Sequence, residues 1–157
     1  MNQRLQEAYA IYLETEELRH QLMSWLTDAD LGFALPSNPA LGVLCRQIGE
    51  TQQSYIDSFK TFKQDFGYRA PHAADLECSV AKLVAWYADL NAQMKTALEG
   101  IDDATFETQM IDRGFPMSIG AQLHTLREAL LIFYGKTTVY LLAMGKPLSP
   151  KWRAWVG

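Results

Sequence analysis

The residues best suited to hold a metal ion are the histidines and the carboxylates near them. His20, His72 and His124 are spread along the 157-residue chain, and no second histidine lies three or four residues from any of them. Glu16 and His20 are four residues apart, as are His124 and Glu128, so either pair could share a helix face and supply two ligands. An exposed ion pair explains the same spacing without a metal, and we favour that interpretation.

Polar side chains on a predicted second helix are candidates for the lining of a pocket. Gln47 and Glu50 lie beside an apolar stripe, and Gln47 is three residues from both Leu44 and Glu50. We therefore expect Gln47 to point at least partly inward. Such side chains are either satisfied by their neighbours and water or border a pocket, and both alternatives stay open.

Other chemistry-bearing signatures are missing from the sequence. It contains no G-x-S-x-G nucleophile motif and no glycine-rich phosphate loop, since its glycines are isolated. The two cysteines, Cys45 and Cys78, lack the spacing of a metal or redox motif. We expect both to be reduced thiols that act as small apolar residues.

Four stretches have the spacing of apolar residues that is typical of amphipathic helices. These predicted helices cover about residues 3–27, 39–65, 75–98 and 119–144. Four helices of this length, each with one apolar stripe, predict an all-α fold: a single domain over residues 1–157, built as an antiparallel four-helix bundle.

Capping and turn residues set the expected ends of these helices. Asn38 should cap the second helix and Gly67 should end it, while Asp75 and Ser118 should cap the third and fourth. Residues 101–117 break the helical rhythm and contain an Asp-Arg-Gly turn signal, which predicts an irregular segment or a small hairpin.

The apolar spacing also predicts which side chains face the core. On the first helix it places Ile11 inside and Arg19 on the opposite side, and on the fourth it places Phe133 inside. The C-terminal segment is expected to lay Trp152 on the outside of the bundle.

Charge and hydropathy exclude two classes of partner. The net charge is −4, and the 14 lysines and arginines are scattered, so we expect no nucleic-acid binding. The most apolar stretch, residues 126–142, holds an uninterrupted apolar run only from Ala129 to Tyr134, too short to span a bilayer. No signal-peptide pattern opens the sequence, so the default expectation is a cytoplasmic location.

Three stretches resemble a known family. The sequences LGVLCRQIGETQQSYIDSF (41–59) and IFYGKTTVYLLAMGKPLSP (132–150) are similar to the second and fourth helices of DinB-like (DinB/YfiT-like) proteins, and LTDADL (26–31) matches the segment after their first helix. The resemblance implies a four-helix bundle, often dimeric, in which three histidines hold a divalent metal: one on the second helix and two, four residues apart, on the fourth.

All three family histidines are missing here. The family pattern places the ligands at Gln47, Ala129 and Phe133, with Gly135 as the family glycine. An amide is a poor ligand for zinc or nickel, and the other two side chains offer no donor. The resemblance therefore implies that Phe133 fills the space of a histidine and its metal, and that Gly135 permits close helix approach.

The functional expectation is a DinB-like bundle without a metal or other cofactor, which binds an unknown small molecule or a protein partner and is a homodimer. Further pocket-lining candidates are Glu50, His124, Glu128 and Tyr134. The alternative is an enzyme of the family, a metal-dependent hydrolase or thiol transferase, that holds zinc or nickel at a shifted site made of Glu50, His124 and Glu128. The sequence leaves open whether any catalysis remains.

Overall fold

The protein is mostly helical. The computed structural model describes residues 1–156, and about 71% of the structure is helix. The helices and strands of the described residues are α1 (Gln3–Trp25), α2 (Asp28–Leu31), α3 (Leu41–Thr61), α4 (Ala73–Glu77), α5 (Val80–Glu99), α6 (Asp103–Thr108), β1 (Met110–Asp112), β2 (Pro116–Ser118), α7 (Ile119–Ala143) and α8 (Pro150–Trp155). The prediction of an all-α class is confirmed at this level.

The four long helices pack in a closed order around the core. Helix α1 contacts α7, α7 contacts α3, α3 contacts α5, and α5 contacts α1. Their shared interior holds fully buried side chains from each helix: Leu5, Leu18, Leu22, Ile48, Ile56, Leu83, Leu90, Leu126 and Leu130. Burial of these apolar surfaces is the main force that holds the helices together.

Helix α3 is shorter at both ends than the sequence predicts. It begins after Ala40, which occupies the N-cap position in place of Asn38, and the Asn38 side-chain amide donates to the carbonyl oxygen of Pro36 at 2.9 Å. It ends at Thr61, because Phe62 turns left-handed with φ of 55° and its carbonyl oxygen accepts a hydrogen bond from the Asp112 amide at 2.9 Å. Pairing with the strand that contains Asp112 thus ends the helix well before Gly67.

The predicted third helix is two helices. Helix α4 ends at Glu77, and Ser79 caps α5 by accepting a hydrogen bond from the Lys82 amide at 3.4 Å. Asp75 is not a cap, because it lies inside α4, and its carboxylate pairs with the Lys82 ammonium at 2.8 Å. A Cβ at Gly42 would lie 1.9 Å from the Glu77 carbonyl oxygen, so α4 packs directly on the backbone of α3.

The segment before α7 contains the short helix α6, which was not predicted, and then a hairpin, one of the two alternatives that the sequence leaves open. Strands β1 and β2 are antiparallel, with Ile111 opposite Met117, and Gly114 adopts a φ of 86° in the turn between them. Ser118 caps α7 as predicted, since its hydroxyl accepts a hydrogen bond from the Ala121 amide at 3.3 Å.

Several predicted orientations are wrong. Thr15, Leu18 and Leu22 are buried as predicted, but Ile11 is 51% exposed and Arg19 is buried, because the buried face of α1 also includes the side of the helix that carries Tyr12, Glu16 and Arg19. Trp152 is fully buried, since the α8 segment folds back and its indole donates to Thr138 at 2.8 Å. A Cβ at Gly135 would meet nothing within 4 Å, so this glycine does not serve close approach between the described helices of one chain.

None of the helices within residues 1–156 is long and apolar enough to cross a membrane.

Candidate functional site

The chain between α3 and α4 lies across α3 and creates a cavity there. We call residues 63–72 the crossover segment. The Ala70 amide donates to a carboxylate oxygen of Glu50 at 2.9 Å, and the Gln64 amide group donates to the carbonyl oxygen of Ser54 at 3.2 Å. These bonds hold the crossover segment against α3. A cavity of about 290 Å³ remains beside it, which we call the α3 cavity.

Three residues that the sequence identifies as candidates meet at the α3 cavity. Gln47 and Glu50 reach it from α3, and Phe133 reaches it from α7. The crossover segment contributes aromatic and basic side chains from the opposite wall. The full lining is Arg46, Gln47, Glu50, Thr51, Ser54, Phe66, Tyr68, Arg69 and Phe133. Phe133 is only half-buried, so it borders an open space and does not fill it.

Charged groups on one side of the α3 cavity are held in a chain of ion pairs. The Arg46 guanidinium contacts the Glu50 carboxylate at 2.5 Å and the Glu77 carboxylate at 2.7 Å. Burial lowers the pKa of Arg46, but its hydrogen bonds to Glu77 and Glu50 raise it more, so the net shift is upward. The guanidinium therefore stays charged, and both carboxylates have a fixed counter-ion.

Arg69 contributes a guanidinium charge that is not paired with a carboxylate in the described part of the chain. Its Nη1 atom donates to the carbonyl oxygens of Phe66 at 3.0 Å and Tyr68 at 2.6 Å. No carboxylate of residues 1–156 lies within ion-pair distance of it. The two carbonyls orient the guanidinium at the cavity wall, and its remaining N–H groups are available to an acceptor.

Two of the other candidates on α7 lie elsewhere because of helix geometry. At about 100° per residue, His124 is turned roughly 180° from Phe133, so it cannot border the same cavity. His124 and Glu128 form an exposed pair, with Nε2 and Oε1 3.2 Å apart. Ala129 is half-buried one turn before Phe133 and is not part of the cavity lining. His124, Glu128 and Ala129 therefore do not line the α3 cavity.

Tyr134 is also turned away, toward the core. It is fully buried, and its hydroxyl has no hydrogen-bond partner within the described residues. Burial raises the pKa of Tyr134 to about 12, although the nearby Arg19 charge lowers it. An unpaired, neutral hydroxyl in the core destabilises the fold slightly.

A buried polar cluster beside Tyr134 was not predicted from the sequence. Arg19 on α1 donates to Glu16 on the same helix, to Gln52 Oε1 at 2.6 Å and to Asn91 Oδ1 at 2.8 Å. The guanidinium lies over the Tyr87 ring, 4.2 Å from its centroid. Tyrosine, glutamate and arginine at positions 12, 16 and 19 have helical spacing, and this polar repeat was the signal available in the sequence.

The donor groups at these sites do not fit a divalent metal. Within residues 1–156 there is no group of three or more His, Cys, Asp or Glu side chains that could hold one. Glu50, His124 and Glu128 are therefore not brought together. In the α3 cavity the only carboxylate, Glu50, is already bonded to Arg46 and to the Ala70 amide. The amide of Gln47 and the ring of Phe133 add no strong ligand.

The thiols are free. Cys45 is buried and Cys78 is exposed. Burial raises the pKa of Cys45 to about 12, so this thiol is protonated and unreactive at neutral pH.

Comparison with known proteins adds no family assignment. No protein-family model matches the sequence, and no curated protein matches it either. The resemblance to the DinB-like family therefore stays a prediction from the sequence patterns.

Proposed function

We propose that the protein is a DinB-like four-helix bundle that has lost the family's metal centre and binds a small molecule in the α3 cavity. The proposal depends on one observation above all: Gln47 and Phe133, from two different helices, border the same open cavity. The closed packing order of α1, α7, α3 and α5 supports the bundle. The donor chemistry of the cavity supports binding without a metal.

The chemistry of the walls favours a planar ligand with a carboxylate. Phe66, Tyr68 and Phe133 offer aromatic surface, and the Arg69 guanidinium offers N–H donors in a fork that matches carboxylate geometry. Burial, followed by the charges of neighbouring carboxylates, raises the pKa of Tyr68, so its hydroxyl remains a donor. A small aromatic carboxylate is thus the ligand class that the cavity suits best.

A thermal-shift titration tests this function. Benzoate is the probe for an aromatic carboxylate, and zinc, nickel and glutathione are the probes for the metal-dependent alternatives. Binding to the native state alone must raise the melting temperature, so benzoate is expected to raise it and zinc and nickel are not. A stoichiometric metal that stabilises the fold would overturn the proposal and favour the hydrolase or transferase alternative.

The variant Arg69→Gln locates the binding site. We expect it to weaken benzoate binding by roughly tenfold to hundredfold, because a hydrogen bond to a charged group contributes about 1.5–3 kcal/mol. Arg153→Gln is the matched control, since Arg153 is an exposed arginine on α8 and does not border the cavity. Equal benzoate affinity in the two variants would exclude the α3 cavity as the site.

We also propose that the protein is a homodimer formed through the outer face of α7. Ile132 and Val139 are seven residues apart on this face and are 61% and 54% exposed, and Leu142 beside them is 60% exposed. Gly135 leaves a gap between them that nothing in the described chain fills. Sedimentation equilibrium should give a dimer for the native sequence and a monomer for Val139→Glu. A native monomer would contradict this part of the proposal.

A further inference from the structure

A second cavity lies on the other side of the crossover segment, against α5. Its volume is about 500 Å³, and we call it the α5 cavity. Tyr68 borders both cavities, whereas Trp86 and Asp89 from α5 border this one and not the α3 cavity. The two cavities are therefore neighbours with one shared wall and different chemistry.

An indole ring of fixed position forms part of the α5 cavity. The six-membered ring of Trp86 lies against Gly49 of α3 so closely that a Cβ there would be 2.4 Å from it. Trp86 also stacks on Tyr87, with ring centroids 5.9 Å apart. The ring is half-buried, borders the cavity and has no room to move further toward α3.

The charge of the α5 cavity is set by Asp89. Lys82 and Asp75 also border the cavity, but they form an ion pair at 2.8 Å and neutralise each other. Asp89 accepts a hydrogen bond from the Gln93 amide group at 2.7 Å, and no cation of residues 1–156 lies within ion-pair distance. His72 also borders the cavity, and with its imidazole neutral the lining carries one uncompensated negative charge.

A buried amide supplies a hydrogen-bond acceptor. The Gln53 side chain is about 8% exposed and borders the cavity, and its amide nitrogen donates to Asp57 at 2.9 Å. Its carbonyl oxygen accepts no hydrogen bond from any residue between 1 and 156. The pKa of Tyr68 is raised by burial and then by the charges of Asp57, Glu50 and Asp89, which agrees with a negative potential at this wall.

We propose that the α5 cavity binds a compact organic ammonium ion that carries a hydrogen-bond donor. The rings of Trp86 and Tyr68 attract a cation through their negative faces, Asp89 provides the counter-charge, and the Gln53 carbonyl oxygen accepts from the ligand's N–H or O–H group. This site is separate from the α3 cavity and does not depend on the function proposed for it.

The probes are choline and its neutral isostere, the alcohol in which carbon replaces the quaternary nitrogen. Isothermal titration calorimetry should show choline binding and an affinity for the isostere weaker by about tenfold or more, because shape is unchanged and only the charge is lost. Equal affinities, or no heat with choline at millimolar concentration, would overturn the proposal.

The site can be located by the indole N–H resonances of the four tryptophans. Trp86→Phe assigns the Trp86 signal, and choline should shift that signal and leave the other three in place. A shift confined to another tryptophan would refute the assignment.

Asp89→Asn tests the charge, and Glu99→Gln on the same helix is the matched control. Asp89 and Glu99 are both exposed, so neither variant should disturb the fold. We expect Asp89→Asn to weaken choline binding by about fivefold to tenfold, as for loss of a charged partner at a partly exposed site, and Glu99→Gln to leave it unchanged. Arg69→Gln should also leave choline binding unchanged. Unaltered affinity in Asp89→Asn would count against the proposal.

Discussion

Two arginine–glutamate ion pairs, one in the core and one at a cavity wall, have different structural roles. In each pair the two residues lie about one helical turn apart. Arg19 and Glu16 on α1 lie in the core, where both side chains are about 3% exposed. Arg46 and Glu50 on α3 lie at the wall of the α3 cavity, where the exposed fractions are 14% and 8%. The residue types and helical spacing are nearly the same, so the difference comes from the surroundings.

The surroundings decide what each arginine holds together. Arg19 donates to Gln52 on α3 and Asn91 on α5 and lies over the Tyr87 ring, so it joins three helices in the core. Arg46 reaches only Glu77 on the neighbouring α4 besides its own helix. The core pair therefore fixes helix packing, whereas the cavity pair organises one wall and leaves an open face.

The variant Arg19→Met should have the largest effect on stability. It leaves Glu16 buried without a counter-ion, and breaking a buried pair in this way costs about 3–5 kcal/mol. Urea unfolding would measure the change in the free energy of unfolding. The double variant with Glu16→Met should recover most of the loss, because a buried apolar pair replaces the ion pair. A loss below about 1 kcal/mol would show that the core pair is not structural.

Arg46→Met should cost less, about 2 kcal/mol, the contribution of a charged hydrogen bond at a site that still contacts solvent. Glu50 keeps the Ala70 amide as a partner, which limits the loss. Arg4→Met is the control, because Arg4 pairs with Glu107 at the surface, where pairs contribute about 0–1 kcal/mol. The same urea experiment applies. If Arg46→Met lowered the free energy of unfolding as much as Arg19→Met, the core pair and the cavity pair would not differ in their contribution to stability.

Tyr134→Phe tests the polar cluster in the core and should stabilise the fold. It deletes a buried hydroxyl without a partner, and we expect the free energy of unfolding to rise by about 1 kcal/mol. Tyr12→Phe is a control with the opposite expected sign. The Tyr12 hydroxyl accepts a hydrogen bond from Gln52 at 2.9 Å, so its removal should lower the free energy of unfolding. Equal signs in the two variants would contradict this account of the cluster.

The smallest expected effect concerns the half-buried pair of Asp30 and Lys146. The hydrogen bond from Lys146, followed by that from the Thr27 amide, lowers the pKa of Asp30. The folded state thus holds this proton less tightly than the unfolded state. The stabilisation is present above the ordinary carboxyl pKa of about 4 and is lost as the pH falls through the lowered value.

The variant Asp30→Asn should therefore flatten the pH dependence of stability below about pH 4 and cost about 0.5 kcal/mol at neutral pH. Thermal unfolding from pH 2 to 7 measures both quantities. Asp103→Asn, at an exposed carboxylate whose partner is the neutral Asn2 side chain, serves as the control. An unchanged acid slope in Asp30→Asn would exclude this carboxylate as a source of acid sensitivity.

Local signals in the sequence predicted much of the fold. Ser118 as a cap and Gly114 in a turn depend on hydrogen bonds within a few residues, and both are present in the structure. The end of α3 was not predictable in this way, because Phe62 leaves the helix to pair with Asp112, fifty residues later. Trp152 was misplaced for the same reason, since its partner Thr138 lies on another helix.

The candidate site was predictable only in part. Gln47, Glu50 and Phe133 follow from positions along helices, and the structure brings them to one cavity. The aromatic and basic wall formed by Tyr68 and Arg69 was not predicted, because the path of the crossover segment has no periodic pattern. The position of a loop depends on the surfaces against which it packs, and local sequence patterns do not reveal those surfaces.

Two glycines on α3 determine how this helix sits against α4 and α5. Gly42 and Gly49 are seven residues apart, which places them on the same face about 10 Å apart along the axis. The backbone at Glu77 rests on the first and the indole of Trp86 rests on the second. A slide of α3 by one turn would drive a side chain into each of these contacts. The helix is therefore held lengthwise against α4 and α5 at two points, and the second of them places the Trp86 indole at the wall of the α5 cavity before any ligand arrives.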